Sequence, residues 1–273
     1  MIQLSGFADE IAADPAVQIE VLHGEGIRFL ELRGAWGKNV LDFSPPQRQD
    51  LKHRLADAGI GVSAIGSPIG KVPIDESWPD HVARFKVALD AAEFFEAPYV
   101  RVFSYFAPKV GRIEDHREEV IRRLREQAAM ARGRPVRLLQ ENEGDVYAST
   151  AERCLDLLEN VPDMDMVFDP ANFIQAGVRP AEAWPRLADR VAYFHIKDAI
   201  LGTGQVVPAG EGDGRLAEIL RDAIRRRGFD GFLSLEPHLA AAGKFSGFSG
   251  PDLFRQAVRA LKRILDEIGA SYS

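Results

Sequence analysis

Eight short runs of apolar and β-branched residues recur along the chain, each separated from the next by a longer stretch. The runs cover residues 2–7, 29–33, 61–65, 99–103, 136–140, 164–168, 192–196 and 231–235. Runs of this length, bounded by turn residues, are typical of buried strands. Because each intervening stretch is long enough for a helix, the pattern predicts parallel strands joined by crossover helices.

The intervening stretches carry helix signals. Asp14 and Ser44 each precede a proline, which favours a helix N-terminus. We expect Ser77 to cap the third helix, because apolar residues at 78, 82, 85, 89 and 92 then recur at helical spacing. The other helices are predicted over residues 15–25, 45–58, 115–132, 150–158, 180–188, 216–227 and 251–268.

Eight strand–helix units in a row indicate a closed (β/α)8 barrel, the TIM-barrel architecture. An open doubly wound sheet is the alternative, but such sheets usually have fewer strands. The chain has 273 residues and contains no linker-like or low-complexity segment. We therefore expect a single domain that covers residues 1–273.

The charge and hydropathy of the chain restrict its partners. The formal net charge is −7, which argues against binding to nucleic acid or to an anionic membrane surface. No apolar stretch approaches the length of a membrane span, and the N-terminus lacks the pattern of a signal peptide. A cytoplasmic location is the resulting expectation.

Three acids and a histidine stand at the ends of four consecutive predicted strands. Glu141 and Asp169 follow the fifth and sixth strands, and His195 and Glu236 end the seventh and eighth. In a TIM barrel these positions meet at one mouth. Unpaired burial of four such groups would be costly, and a divalent cation offsets that cost. The oxygen-rich set predicts one metal ion, with Mn²⁺, Mg²⁺ or Co²⁺ favoured and Zn²⁺ possible.

With these motifs the chain resembles the xylose isomerase-like barrel superfamily, in particular its sugar (phosphate) isomerase and epimerase branch. The resemblance runs along the whole chain in order. It is carried by Glu141-Asn142, Asp169-Pro170, His195-Ile-Lys-Asp198, Ala209-Gly-Glu-Gly212 and Leu235-Glu-Pro-His238. It implies that Glu141, Asp169, His195 and Glu236 bind the metal and that both glutamates also move protons.

The chain departs from its relatives at two positions. Many relatives carry histidine where this chain has Glu143, and many carry histidine where it has Asn172. Those histidines typically meet substrate oxygens, so we expect Glu143 and Asn172 at the substrate site. The departures leave the substrate and the reaction open, whereas the metal ligands are intact.

Two further residues near the seventh and eighth strand ends are candidates for substrate binding. Lys197 shares the strand face of His195, so it either meets a substrate oxyanion or phosphate or forms a salt bridge with Asp198 or Glu236. His238 follows two residues after Glu236 and either contacts substrate or is an ordinary loop histidine.

Three residues of the second and fourth strands are further candidates. Glu31 and Arg33 point the same way by strand alternation, and Arg101 lies in the fourth strand. They either orient sugar hydroxyl groups or pair with neighbours at the rim of the barrel. The Gly210-x-Gly212-x-Gly214 run in the seventh loop is interpreted as a source of flexibility.

The resemblance implies proton transfer next to a carbonyl, through an enediolate, with Glu141 and Glu236 as acid and base. The outcome is isomerisation or epimerisation of a sugar or sugar phosphate. A metal-dependent dehydratase of an inosose-like cyclic ketone and a non-catalytic sugar-binding barrel remain alternatives. A DNA-repair endonuclease is disfavoured, because it needs about three metals and more histidines. Relatives often form oligomers, so a homo-oligomer is possible.

Overall fold

Eight parallel strands form the barrel in the computed structural model, which describes residues 1–242 and 247–273. Neighbouring strands pair in the order β1-β8-β7-β6-β5-β4-β3-β2, and a parallel bridge between Phe7 and Glu31 brings the two outer strands together. The predicted fold class is therefore confirmed. The strands are β1 Gln3–Gly6, β2 Phe29–Leu32, β3 Gly61–Ile65, β4 Tyr99–Val102, β5 Arg137–Glu141, β6 Met164–Phe168, β7 Val191–Ile196 and β8 Phe232–Leu235.

Nine α-helices among the described residues surround the strands. They are α1 Pro15–Gly24, α2 Pro45–Asp57, α3 Trp78–Phe95, α4 Arg117–Ala131, α5 Ala151–Asn160, α6 Pro170–Gln175, α7 Pro180–Leu187, α8 Leu216–Arg221 and α9 Gly250–Glu267. The sequence did not predict α6, and the helix predicted over residues 216–227 ends early and continues as a π-helical turn over Asp222–Arg226. No helix in residues 1–242 or 247–273 has the length and apolar character needed to span a membrane.

Two of the three predicted N-cap side chains form capping hydrogen bonds, and the third does not. The Asp14 side chain accepts a hydrogen bond from the Ala16 N–H, and Ser44 forms a reciprocal capping box with Gln47. Ser77 occupies the N-cap position of α3 as predicted, but its side chain makes no capping hydrogen bond. The helix keeps its position there because its apolar face, with Phe85 and Leu89, packs into the core.

Strand alternation points one set of side chains toward the barrel axis. Leu139, Val167 and Tyr193 form a buried layer inside the barrel. The residues two positions further along the same strands are Glu141, Asp169 and His195. They therefore point the same way, one layer nearer the C-terminal mouth.

The glycine-rich seventh loop wraps around the buried carboxylate of Asp198. That carboxylate accepts backbone hydrogen bonds from Ala199, Gly210, Gly212 and Gly214, at 2.8 to 3.1 Å. A Cβ on Gly212 would lie 2.4 Å from Oδ1 of Asp198, and one on Gly214 would lie 2.6 Å from it. The interpretation of this run as flexible is therefore wrong, since glycine is needed here for close approach.

Candidate metal centre

The four residues predicted to bind metal lie together at the C-terminal mouth of the barrel. One potential ligand atom from each of Glu141, Asp169, His195 and Glu236 falls in a group whose members are all within 4.8 Å of one another. All four side chains are buried. Nδ1 of His195 lies 2.9 Å from Glu141 Oε1, 3.5 Å from Glu236 Oε2 and 3.9 Å from Asp169 Oδ2.

Asp169 is fixed by the helix that begins after it. Its Oδ1 accepts a hydrogen bond from the Asn172 N–H as the N-cap of α6, with Pro170 in the first turn. The Asn142 side chain exchanges two hydrogen bonds with the backbone of Asp169, at 2.8 and 2.9 Å. These contacts orient Oδ2 of Asp169 toward His195 and Lys197.

Each glutamate of the cluster has one oxygen held by a buried arginine. Arg101 Nη1 lies 3.1 Å from Glu141 Oε2, and Arg33 Nη1 lies 3.2 Å from Glu236 Oε1. Both guanidinium groups also lie over the ring of Phe7, at 4.4 Å for Arg33 and 5.1 Å for Arg101. The remaining oxygens, Glu141 Oε1 and Glu236 Oε2, are nearest to His195.

Lys197 forms salt bridges within the cluster. Its Nζ lies 2.9 Å from Asp169 Oδ2 and 3.0 Å from Glu236 Oε2. Of the two partners considered from the sequence, Glu236 is present, whereas Asp198 is engaged by the glycine-rich loop. The ammonium group therefore stands beside two of the expected metal ligands.

Burial and neighbouring charges together set the ionisation of this cluster. Burial raises the pKa of Glu141, but the charges of His195 and Arg101 outweigh it and lower that pKa to about 2. Burial lowers the pKa of His195, yet Glu141 and Glu31 raise it well above its usual value. The pKa of Asp169 rises to about 7, mainly through burial. The site therefore favours an additional positive charge.

The donor set fits a divalent ion. Three carboxylates and one imidazole nitrogen are the ligands that hard and borderline divalent cations take in proteins. When bound, such an ion acts as a Lewis acid on carbonyl and hydroxyl oxygens.

The other predicted substrate residues have protein partners. Glu31 Oε2 lies 3.1 Å from Nε2 of His195 and is fully buried, and Asn172 Nδ2 donates to Glu141 Oε1 at 3.0 Å. Glu143 pairs with Lys71 at 2.7 Å, and His238 Nε2 lies 3.2 Å from Glu10 Oε1 and 3.5 Å from Glu236 Oε1. Substrate contact therefore remains a prediction for these residues, as it does for Arg101 and Lys197.

Sequence reasoning missed two acids beside the cluster. Asp9 Oδ2 accepts a hydrogen bond from Arg33 Nε at 2.7 Å, and Glu10 Oε2 accepts from the His238 N–H at 2.8 Å. Both acids lie in the short 3-10 helix Ala8–Glu10, which begins two residues after the first strand ends. A search for acidic residues just after each predicted strand, which selected Glu141, would also have found these two acids.

Comparison with known proteins identifies the family of the chain. A family model described as xylose isomerase-like TIM barrel matches residues 19–264, so the chain belongs to the xylose isomerase-like TIM barrel family. A search of curated proteins gives no match.

Solved structures share the fold at low sequence identity. D-allulose 3-epimerase from Methylomonas sp., in complex with D-allulose, has a TM-score of 0.72 and 16% identity, and the alignment covers 97% of this chain and 96% of that one. A xylose isomerase-like protein from Mycobacterium smegmatis, in complex with magnesium, has a TM-score of 0.72 and 18% identity, covering 98% and 97%. A probable 3-DHS dehydratase from Bacillus anthracis has a TM-score of 0.72 and 16% identity, covering 95% and 98%.

Proposed function

We propose that this chain is a divalent-metal-dependent isomerase or epimerase of a sugar or a related polyol ketone. Glu141, Asp169, His195 and Glu236 hold the metal ion. The observation that carries the proposal is the matched arrangement of Glu141 and Glu236, each with one oxygen held by an arginine and the other beside His195. The epimerase and the magnesium-bound protein among the structural neighbours support it.

The two glutamates are suited to move a proton at a carbon next to a carbonyl. Burial raises the pKa of both carboxylates, but neighbouring positive charges outweigh it: His195 and Arg101 lower the pKa of Glu141, and Lys197 and His238 lower that of Glu236. Either ionised carboxylate can therefore accept the proton from the substrate carbon. The same glutamate or the opposite one then returns it. Return to the opposite face of the same carbon gives an epimer, whereas delivery to the adjacent carbon exchanges aldose and ketose. Lys197, a cation beside both Asp169 and Glu236, stabilises negative charge on the substrate oxygens during the transfer.

Deuterium exchange tests this chemistry. Metal-loaded protein is incubated in D₂O with a panel of ketoses, ketose phosphates and inosose-like ketones, and NMR follows deuterium entering next to the carbonyl. We expect exchange with formation of an isomer or epimer, and its loss in the Glu141→Gln, Glu236→Gln double variant. Glu96→Gln is the matched control, because this exposed carboxylate pairs with Lys52 away from the metal cluster. Exchange in the double variant at the wild-type rate would overturn the assignment of the two glutamates.

A dehydratase is the second candidate, favoured by the neighbouring probable 3-DHS dehydratase. Its reaction begins with the same proton abstraction and then expels a hydroxyl group. In the exchange experiment, product that has lost a hydroxyl group together with deuterium uptake would select this reaction. Metal-loaded protein that gives neither exchange nor product with any compound would favour a sugar-binding barrel.

A further inference from the structure

The ring of Phe7 contacts three groups at the candidate metal centre. The guanidinium carbons of Arg33 and Arg101 lie 4.4 and 5.1 Å from its centroid, and the His195 ring meets it edge-to-face at 5.2 Å. Phe7 is fully buried, so it offers no free surface to a substrate. Its contacts therefore indicate a role within the site rather than in the wall of a substrate pocket.

A second buried ring, that of Phe103, contacts one of the same two arginines. The Arg101 guanidinium carbon lies 4.7 Å from the Phe103 centroid, and Lys71 Nζ lies 4.4 Å from it. In the described part of the chain, Arg101 therefore contacts both rings, whereas Arg33 contacts only that of Phe7.

Hydrogen bonds alone do not satisfy these two buried guanidinium groups. Within residues 1–242 and 247–273, Arg33 Nη2 and Arg101 Nε have no hydrogen-bond partner. The face of an aromatic ring carries partial negative charge and attracts a guanidinium group, most strongly where water is excluded. The rings therefore offset part of the cost of burying the two cations.

Each arginine in turn holds one oxygen of a proposed proton carrier. Arg33 Nη1 lies 3.2 Å from Glu236 Oε1, and Arg101 Nη1 lies 3.1 Å from Glu141 Oε2. The second oxygen of each glutamate is the one nearest to His195. Because a carboxylate is rigid and planar, the position of each guanidinium group influences where that second oxygen lies.

The chain leaves room for the Phe7 ring at Gly66. A Cβ at this position would lie 2.6 Å from Cε1 of Phe7 and 3.3 Å from Cβ of Arg33. Contacts this short cannot be accommodated in a close-packed interior unless the ring moves. Gly66→Ala is therefore a way to displace the ring without changing its chemistry.

We propose that Phe7 is a positioning residue for both glutamates and acts on them through Arg33 and Arg101. This inference rests on the proposed function, in which Glu141 and Glu236 bind the metal ion and move the proton. The essential property of Phe7 is the negative face of its ring, because an aliphatic side chain would fill the space without attracting either guanidinium group.

Fluorination of the ring separates this electrostatic role from packing. Mono-, di-, tri- and pentafluorinated phenylalanines are incorporated at Phe7, which weakens the attraction of the ring for a cation stepwise and changes its size little. Calorimetric titration of the metal-free protein with Mn²⁺ should show a stepwise loss of affinity, reaching about tenfold with the pentafluorinated ring. Gly66→Ala should also weaken Mn²⁺ binding.

Two other phenylalanines are the controls. The same series at Phe103 should cause a smaller loss, because this ring contacts one of the two arginines. The series at Phe85 should cause no loss, because this fully buried residue of α3 has no cation over its ring in the described part of the chain. The NMR signals of the arginine Nε–H groups in metal-free protein should shift for Arg33 and Arg101 in the Phe7 series, but only for Arg101 in the Phe103 series.

Unchanged Mn²⁺ affinity along the Phe7 series would overturn the proposal. Equal losses along the Phe7 and Phe85 series would also overturn it, since packing alone would then explain both. Wild type that binds no Mn²⁺ would instead contradict the proposed function. In that case the arginine signals of the metal-free protein decide the inference, and it fails if fluorination of Phe7 leaves both signals unchanged.

Discussion

Glu31 and His195 form a buried pair in which Oε2 of the carboxylate lies 3.1 Å from Nε2 of the imidazole. Nδ1 of the same ring lies toward Glu141, Asp169 and Glu236. A carboxylate on one ring nitrogen fixes the orientation and the tautomer of the imidazole, and so presents the other nitrogen to a metal. This position gives Glu31 a role in orienting the expected ligand.

Glu31→Ala should weaken metal binding by about 10- to 100-fold, because the imidazole loses the group that orients it. Glu31→Gln keeps an acceptor and should lose less affinity. Calorimetric titration with Mn²⁺ measures both, and ¹⁵N chemical shifts of His195 report the tautomer directly. Unchanged affinity and unchanged shifts in Glu31→Ala would contradict this role.

Lys197→Met should destabilise the metal-free protein and strengthen metal binding. Removing the ammonium group takes away the cation that pairs with the buried carboxylates of Asp169 and Glu236. Breaking a buried ion pair typically costs about 3–5 kcal/mol of stability. A bound divalent ion replaces the lost charge, so saturating metal should recover most of the loss. Thermal unfolding with EDTA and with Mn²⁺ checks this. A variant as stable as wild type in EDTA, or one with weaker metal binding, would refute it.

His81 should make the folded protein sensitive to acid. Burial, aided by the charge of Arg123, lowers its pKa from 6.5 to about 4. The unfolded chain therefore binds a proton below pH 6.5 that the folded chain excludes, so stability falls as the pH drops toward 4. The contribution is at most about 1.4 kcal/mol per pH unit.

Urea unfolding of wild type and His81→Gln at pH 7.5 and pH 5 isolates this contribution. The variant should lose less stability between the two pH values than the wild type does. An equal loss in both proteins would show that His81 does not titrate as described.

Gly212→Ala should destabilise the protein by about 1–3 kcal/mol. The added Cβ would meet Asp198 Oδ1 at 2.4 Å and the Ala199 carbonyl oxygen at 2.5 Å, and both belong to the hydrogen-bonded loop. Gly24→Ala is the control, since a Cβ there meets nothing within 4 Å. Denaturant titration compares the two variants, and similar stabilities would contradict the packing described for the loop.

The sequence predicted the features of the site that depend only on the order of the strands along the chain and on the alternation of side chains within each strand. The period of two places Glu141, Asp169 and His195 on the inner faces of consecutive strands, and the fold brings their ends together. The role of Glu31 depends on how residues face one another across the barrel. That depends on strand stagger, which no local pattern encodes.

Local signals failed where tertiary contacts decide the structure. Ser77 marks the start of α3 as its residue type predicts, yet its side chain does not form the capping hydrogen bond. The glycine-rich loop has a composition typical of flexibility, but the buried carboxylate of Asp198 organises it. Helix α6 is only six residues long, so its hydrophobic period is too short to detect.

Metal content measures the central claim most directly. Wild type, Asp169→Ala and the control Glu143→Gln are loaded with Mn²⁺, desalted and analysed by inductively coupled plasma mass spectrometry. We predict about one equivalent of metal in wild type and Glu143→Gln, and strong loss in Asp169→Ala, because Asp169 is one of the four proposed ligands in the cluster. Equal metal content in wild type and Asp169→Ala would contradict the account.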